Sequence, residues 1–184
     1  MSTATQTATT TKWTLDPAHS EITFKVKHLM ISTVTGQFRN FNVEAETKGA
    51  DFSNPAQIDV TIDTGSIDTN NQQRDAHLKS EDFFNVAKHN QIVFKSTRYE
   101  AQGDEAKLYG QLTIQDHTKD IVLQVEAGGI VVDPYGQTKA GFTVQGKISR
   151  KEFGLTWNAV TEAGQIVVGD DIKFHAEIQL IKQA

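Results

Sequence analysis

Hydrophobic and polar residues alternate along most of the chain. In residues 21–28 the apolar side chains of Ile22, Phe24 and Val26 alternate with polar ones, and residues 172–180 repeat the pattern. Because successive side chains of a strand leave opposite faces, this period predicts half-buried β-strands. Similar runs predict six further strands, at 36–47, 57–64, 91–98, 107–115, 120–132 and 138–148.

The segments between these strands favour an antiparallel arrangement. Turn-forming residues occur at 49–51, 102–104, 115–117 and 133–136, as expected for hairpin links. No long helices alternate with the strands, which disfavours a doubly wound parallel sheet. The chain is therefore predicted to be all-β, with eight antiparallel strands. Closure into a barrel would remove the free sheet edges, and a β-sandwich is the competing arrangement.

Two places depart from the alternation. Between Phe38 and Phe41 the apolar phase slips, which predicts a β-bulge near Asn40. In residues 66–84 the alternation is lost: residues 69–72 have the form of a capping box, and residues 72–79 contain no β-branched residue, glycine or proline. We therefore expect a short helix over about 70–84 at one end of the barrel, anchored in its interior by the last two phenylalanines.

Composition excludes several classes of function. A formal net charge of −5 argues against nucleic acid as a partner, since phosphate binding requires a basic surface. The chain has no cysteine, which excludes disulfides, zinc–thiolate sites and cysteine nucleophiles. It also has no G-x-S-x-G elbow, phosphate loop or dinucleotide fingerprint, so no catalytic residue or cofactor is predicted.

The start of the chain is small and polar. We expect a disordered tail over residues 1–11 followed by a single domain over 12–184. The tail has neither the basic start nor the apolar stretch of a secretory signal, and no run approaches the roughly 18 apolar residues of a membrane helix. These features predict a cytoplasmic location without a membrane-spanning segment, or a periplasmic one if an export signal has been removed.

A few polar residues are candidates for chemistry. His19, His28 and His77 lie near strand ends or on the predicted helix, but they lack the short spacing of a zinc motif, so no metal is predicted. Arg74 is expected first to fix the helix against the barrel. In the alternative interpretation, Arg74 and His77 face an anionic or carbonyl head group.

Several motifs together resemble the YceI-like, polyisoprenoid-binding family. Residues 13–28 read WTLDPAHSEITFKVKH, residues 74–84 read RDAHLKSEDFF and residues 148–154 read ISRKEFG. Shorter matches occur at 36–38 (GQF, with Phe41), 66–69 (SIDT), 94–96 (FKS) and 110–114 (GQLTI). Their order and spacing cover about residues 13–182, which is nearly the whole chain.

The resemblance implies a lipocalin-like, extended eight-stranded barrel whose apolar pore holds one polyisoprenoid or similar amphiphile. It implies no enzyme activity and often a homodimer. The sequence departs from the family pattern in lacking an export signal. It also has Asn85 and then His89-Asn90 where the family usually has Asp followed by Tyr-Pro. The rim beyond the helix could therefore select a different head group.

From the strand phases and the resemblance we expect a non-enzymatic carrier, storage or sequestering protein for an isoprenoid quinone, a polyprenyl phosphate or a similar lipid. The alternatives are a stress-related scavenger of diverse lipophilic compounds and an enzyme acting on an isoprenoid lipid. The pore lining is expected from Ile22, Phe24, Val26, Phe38, Phe41, Ile62, Phe83, Phe84, Phe94, Leu112, Leu123, Phe142, Val144 and Phe174. The polar candidates at its mouth are His19, His28, Arg74 and His77.

Overall fold

A computed structural model describes residues 9–184, and most of them are in β-strands. One α-helix, α1, covers Gln72–Lys79, and short 3-10 helices cover Pro17–His19, Thr64–Ser66 and Arg150–Phe153. The strands are β1 (Thr10–Leu15), β2 (Glu21–His28), β3 (Ser32–Phe38), β4 (Phe41–Lys48), β5 (Pro55–Asp63), β6 (Ile67–Asp68), β7 (Gln91–Gln102), β8 (Glu105–Ile114), β9 (His117–Val132), β10 (Thr138–Ser149) and β11 (Asp171–Lys182).

The strands form one closed antiparallel barrel. Strands β1 and β2 lie end to end along β11, and β3 with β4 and β5 with β6 likewise share one position each. The eleven strands therefore occupy eight positions, in the order of the chain. Pairing of Leu15 in β1 with Leu180 in β11 closes the ring. The predicted eight-stranded barrel is confirmed, and the alternative of a β-sandwich is excluded.

The first three wall positions are interrupted at one level of the barrel. The breaks lie at residues 16–20, 39–40 and 64–66. The predicted bulge near Asn40 is in fact a complete break between β3 and β4. Main-chain bonds across the break hold its edges together: the Arg39 N–H donates to the Ser66 carbonyl at 3.1 Å, and the Asp63 N–H donates to the Asn40 carbonyl at 3.0 Å.

Strand β1 was absent from the sequence prediction because its alternation is too short to recognise. It begins at Thr10 and pairs with β4, so residues 10 and 11 belong to the barrel and not to the expected tail. Its Trp13 is almost completely buried, and the indole N–H donates to the Thr47 hydroxyl at 3.0 Å. Residues 1–8 of the predicted tail lie outside the described residues.

The helix is shorter than the predicted span of about 70–84. Asn71 caps its start by accepting a hydrogen bond from the Arg74 N–H at 2.9 Å. Thr69, the expected cap, instead donates its N–H and hydroxyl to the Asp75 carboxylate. The helix ends at Lys79 because both the N–H and the hydroxyl of Ser80 bond to the His77 carbonyl, and the chain then turns.

The barrel has two distinct ends. The end formed by the β2–β3 hairpin, residues 69–90 and the β10–β11 connection at 150–170 is called the upper end. The lower end carries the β4–β5, β7–β8 and β9–β10 turns. Because β6 stops at Asp68 and β7 begins only at Gln91, the wall has a gap near the upper end. Helix α1 and the turns that follow it are the segment that spans this gap.

Candidate functional site

An internal cavity of about 260 Å³ extends through the barrel. At the lower end it is lined by Ala45, Phe52 and Leu180, and at the upper end by Leu155 and Val168. Among the described residues that line it, every side chain is aliphatic or aromatic apart from that of Arg150. A long apolar space of this kind suits a hydrocarbon chain. It does not suit a ligand with polar groups along its length, which would need hydrogen-bond partners in the wall.

Glycines in the wall keep this space open. A Cβ atom added to Gly146 would lie 2.4 Å from Cζ of Phe174, its cross-strand partner, so only glycine lets that ring lie over the wall. If a side chain at position 146 occupied this space, the Phe174 ring would have to point into the bore, that is, the central channel of the barrel. The same 2.4 Å approach occurs between Gly36 and its cross-strand partner Phe24, and between Gly110 and its diagonal neighbour Phe94.

The upper end is covered by an aromatic cluster of His77, Phe83 and Trp157. The His77 ring packs edge-on against both partners, with centroids 4.6 Å from Trp157 and 5.2 Å from Phe83. Its Nε2 atom also contacts Asp82 Oδ2 at 2.8 Å. These contacts join α1, the turn after it and the β10–β11 connection, so the cover depends on three separate segments.

Arg150 fixes the connection that completes this end. Its buried guanidinium donates to the carbonyls of Gly169 at 2.9 Å, Leu155 at 2.6 Å and Trp157 at 2.7 Å. Burial lowers the pKa of Arg150, and the nearby carboxylate of Asp170, 3.8 Å from Nη2, partly opposes that effect. Because these donors bind main-chain carbonyls from both arms of the connection, Arg150 is a positioning residue for the cover.

The predicted lining residues converge on the cavity with one exception. All of those named from the sequence lie in its wall apart from Phe41. Phe41 is the first residue after the break in the second wall position, and its half-buried side chain packs against the cluster around Trp13 without reaching the cavity. The expectation that Phe41 lines the pore is therefore wrong. That the other residues bind a ligand remains a prediction.

The polar candidates do not form one group. Arg74 donates from Nε to the Thr69 hydroxyl at 2.7 Å and from Nη2 to the Thr69 carbonyl at 2.6 Å, which is the structural role expected first. His77 belongs to the aromatic cluster, and His28 is exposed at the end of β2. His19 lies on the outer wall at the first break, with Nδ1 2.9 Å from Asp16. Its assignment to the mouth of the pore is wrong, because the 3-10 helix turns it outward.

Several residues of the site were missed from the sequence. Phe52, Leu155 and Val168 lie in connections without a period, so strand phase gives no sign of their direction. Trp157 lies in the β10–β11 connection, which likewise has no hydrophobic period. For Arg150, the only available signal was its place in the ISRKEFG motif, which does not reveal that the side chain turns inward.

The described residues contain neither a clustered metal site nor a membrane-spanning helix. Within residues 9–184, no three histidine, aspartate or glutamate side chains gather closely enough to hold a metal ion. In the same range, no helix combines the length and the apolar character needed to cross a bilayer.

Sequence comparison relates nearly the whole chain to one family. The family model for the YceI-like domain matches residues 13–180. A UPF0312 protein of Staphylococcus aureus (strain USA300) is 38% identical over 170 residues, covering 92% of this chain and 96% of the relative. A UPF0312 protein of Staphylococcus epidermidis (strain ATCC 12228) is 36% identical with the same coverage.

Solved structures show the same architecture. A crystal structure of the YceI protein of Campylobacter jejuni is 34% identical, with a TM-score of 0.72 over 87% of this chain and 91% of that one. A polyisoprenoid-binding domain from Saccharophagus degradans superposes with a TM-score of 0.67 over 93% of this chain and 98% of that one. At 14% identity, the second similarity concerns the fold.

Proposed function

This chain belongs to the YceI-like family, and from that premise we propose that it encloses the hydrocarbon tail of an isoprenoid lipid in its barrel. The observation that carries the proposal is the continuous apolar cavity between the two ends. An isoprenoid quinone or a polyprenyl phosphate combines one long apolar tail with a compact head group. The apolar lining of the cavity suits such a tail, and the head group would stay at the upper end.

The energetics support binding without a polar anchor. A tail that buries several hundred Å² of apolar surface gains on the order of 10 kcal/mol, at about 25 cal/mol per Å². Loss of translational freedom and ordering of the tail offset much of this gain. The affinity would therefore depend on tail length and on the width of the bore. The proposed role is to carry, store or sequester the lipid without changing it chemically.

The test is mass spectrometry of the organic extract of freshly purified protein. We expect an isoprenoid lipid in the extract of the wild-type protein and its absence from that of Phe142→Asp, because an unpaired carboxylate in an apolar wall costs several kcal/mol. Gln145→Asp is the matched control, since Gln145 is exposed on the outer face of the same strand. Full occupancy in Phe142→Asp would refute the proposal that this cavity holds the lipid.

The wall chemistry also favours one alternative, a scavenger of diverse lipophilic compounds, because an aliphatic and aromatic wall discriminates weakly among hydrocarbons. Competition between an isoprenoid alcohol and an unbranched alcohol of equal length separates the two roles. A dedicated carrier prefers the branched tail, whereas a scavenger binds both with similar affinity. Conversion of the added lipid to a new product would instead indicate an enzyme.

A further inference from the structure

Two neighbouring hairpins at the upper end expose large apolar side chains. Met30 and Ile31, at the β2–β3 turn, are 57% and 82% exposed. Val160 and Ile166 pair with each other in the β10–β11 connection and are 68% and 38% exposed. We call these four residues the apolar tip. The two hairpins are joined, because the Leu29 N–H donates to the Val167 carbonyl at 2.8 Å.

The backbone at the tip is unusual for its residues. Leu29 and Met30 have φ values of 51° and 58°, in the left-handed region that asparagine and glycine normally occupy in such turns. Large apolar side chains at these positions favour neither the turn nor solubility. Contiguous exposed apolar groups of this kind mark a surface that meets something other than water.

A row of lysines lies below the tip on the same side of the barrel. Lys25 of β2 pairs with Lys173 of β11, which in turn pairs with Lys147 of β10. Lys27 is exposed on the same face of β2. Like charges directly opposite one another destabilise a sheet, so an external anion would relieve the row. Among the ion pairs of residues 9–184, these four lysines have one, from Lys147 to Asp171 at 3.8 Å.

The spacing between tip and row matches a membrane surface. At about 3.3 Å per residue, Lys27 lies roughly 3 Å and Lys25 roughly 10 Å from His28, where β2 ends and the turn that carries Met30 begins. Interfacial elements insert their apolar side about 5–10 Å into the boundary between head groups and acyl chains. Insertion of the tip to that depth would bring Lys27 to the phosphates and leave Lys25 close behind.

Acidic groups near the tip are fewer or already paired. Asp170 is 3.2 Å from the Lys151 ammonium and 3.8 Å from the Arg150 guanidinium, and Asp171 lies near Lys147. Glu162, in the turn between Val160 and Ile166, and Glu152, in the 3-10 helix Arg150–Phe153, are exposed acidic groups that would oppose an anionic surface. The four lysines of the row outnumber these two acidic groups, although the whole chain carries −5.

We propose that this side of the upper end docks on a bilayer that contains anionic lipids, with the apolar tip inserted and the lysine row against the phosphates. The proposal rests on the proposed function. Val168 forms a bridge with His28 beside the tip and also lines the cavity, so docking would place the cover of the cavity at the lipid phase. A lipid could then pass between bilayer and barrel without crossing water.

The experiment is flotation of the purified protein with two kinds of vesicle: phosphatidylcholine alone, and phosphatidylcholine mixed equally with phosphatidylglycerol. Binding should occur with the mixed vesicles and weaken as salt is added. Lys25→Glu/Lys173→Glu should weaken it by about ten-fold or more, because each basic residue near an anionic surface contributes substantially to the affinity. Lys95→Glu/Lys107→Glu is the matched control, since it makes the same charge change on β7 and β8.

A second variant tests the tip independently of charge. Met30→Ser/Ile31→Ser should reduce flotation while leaving the melting temperature and the extracted lipid unchanged, because neither residue lines the cavity. Equal flotation of all variants, or binding to neither vesicle, would overturn the docking proposal. If the wild-type protein floats but its extract contains no lipid, docking stands and the proposed function fails. If the wild-type protein holds lipid but does not float with vesicles, the proposed function stands and the docking proposal fails.

Discussion

At the scale of single residues, three glycines decide how much of the bore is free. Gly146→Ala would place a methyl group 2.4 Å from Phe174 and 2.9 Å from Leu123, and both contacts are with side-chain ends that can move. We expect Phe174 to swing into the bore, with a loss of stability of about 1–3 kcal/mol. Affinity for the longest tails should fall most. The measurement is the binding of isoprenoid alcohols of increasing length.

The control for this change is on the same strand. A Cβ atom at Gly141 would meet nothing within 4 Å, so Gly141→Ala should leave binding at the wild-type level. If Gly146→Ala also binds every tail length as the wild type does, the glycine does not set the width of the bore.

A second residue-scale prediction concerns Arg74. Its two hydrogen bonds to Thr69 fix the start of the helix, so Arg74→Ala should lower the stability by about 1–2 kcal/mol. Because the effect acts through the cover, matched charged and neutral lipids should lose affinity alike. Binding assays with both lipids, together with melting curves, check this. A selective loss of the phosphate-headed lipid would instead make Arg74 a head-group contact.

At the scale of elements, the turn after α1 holds the cover to the barrel. Phe83 is buried and packs against His77 and Trp157, whereas Phe84 is only partly buried and meets the edge of Phe38 at 6.0 Å. Phe83→Ala should therefore destabilise the fold by roughly 3–5 kcal/mol, and Phe84→Ala by clearly less. Denaturant titration of both variants provides the comparison. Equal losses would show that the two rings are buried alike in solution.

The elements also show what sequence patterns can and cannot specify. Strand phase identified the wall apart from β1, and the strand residues that it placed inside the pore lie around the cavity with the exception of Phe41, because a half-buried strand imposes a period of two. It did not identify the breaks at residues 16–20 and 64–66. There Asp16 and Asp63 cap short 3-10 helices, and bonds to distant segments, such as that from the Asp16 N–H to the Gln179 carbonyl, complete the arrangement. The helix was placed correctly but ended too late. Its end depends on Ser80 bonding to His77, whereas the apolar pair Phe83–Phe84 suggested continuation.

At the scale of the whole molecule, one ion pair network joins the chain's distant parts. Lys139 lies 2.9 Å from Asp16 at the first break and 3.3 Å from Asp133 in the β9–β10 turn. The hydrogen bond to Asp16 is the main cause that raises the pKa of Lys139. Burial opposes ionisation of Asp16, but hydrogen bonds from Lys139 and His19 outweigh it and lower the pKa of that carboxyl.

This network predicts how stability depends on pH. A carboxyl whose pKa is lowered by folding stabilises the fold above its unfolded pKa of about 3.9, and the contribution is lost as pH falls through the folded value. Lys139→Met should therefore be less stable than the wild type near neutral pH, and the difference should shrink below about pH 4. Melting temperatures of both proteins across this range check it. A difference that persists in acid would assign the effect to packing.

Closure of the ring between β1 and β11 has a consequence for how the protein acquires its ligand. During synthesis the barrel cannot close until residues 171–182 have emerged, because β11 supplies the partner that β1 needs. Until then the apolar faces of the other strands cannot be enclosed by a complete ring. Contacts so far apart in sequence also form slowly, since the loop between them must be closed first. A lipid that binds before the ring closes could be enclosed from the open side of the sheet. A lipid that binds after closure would have to enter through an end of the barrel.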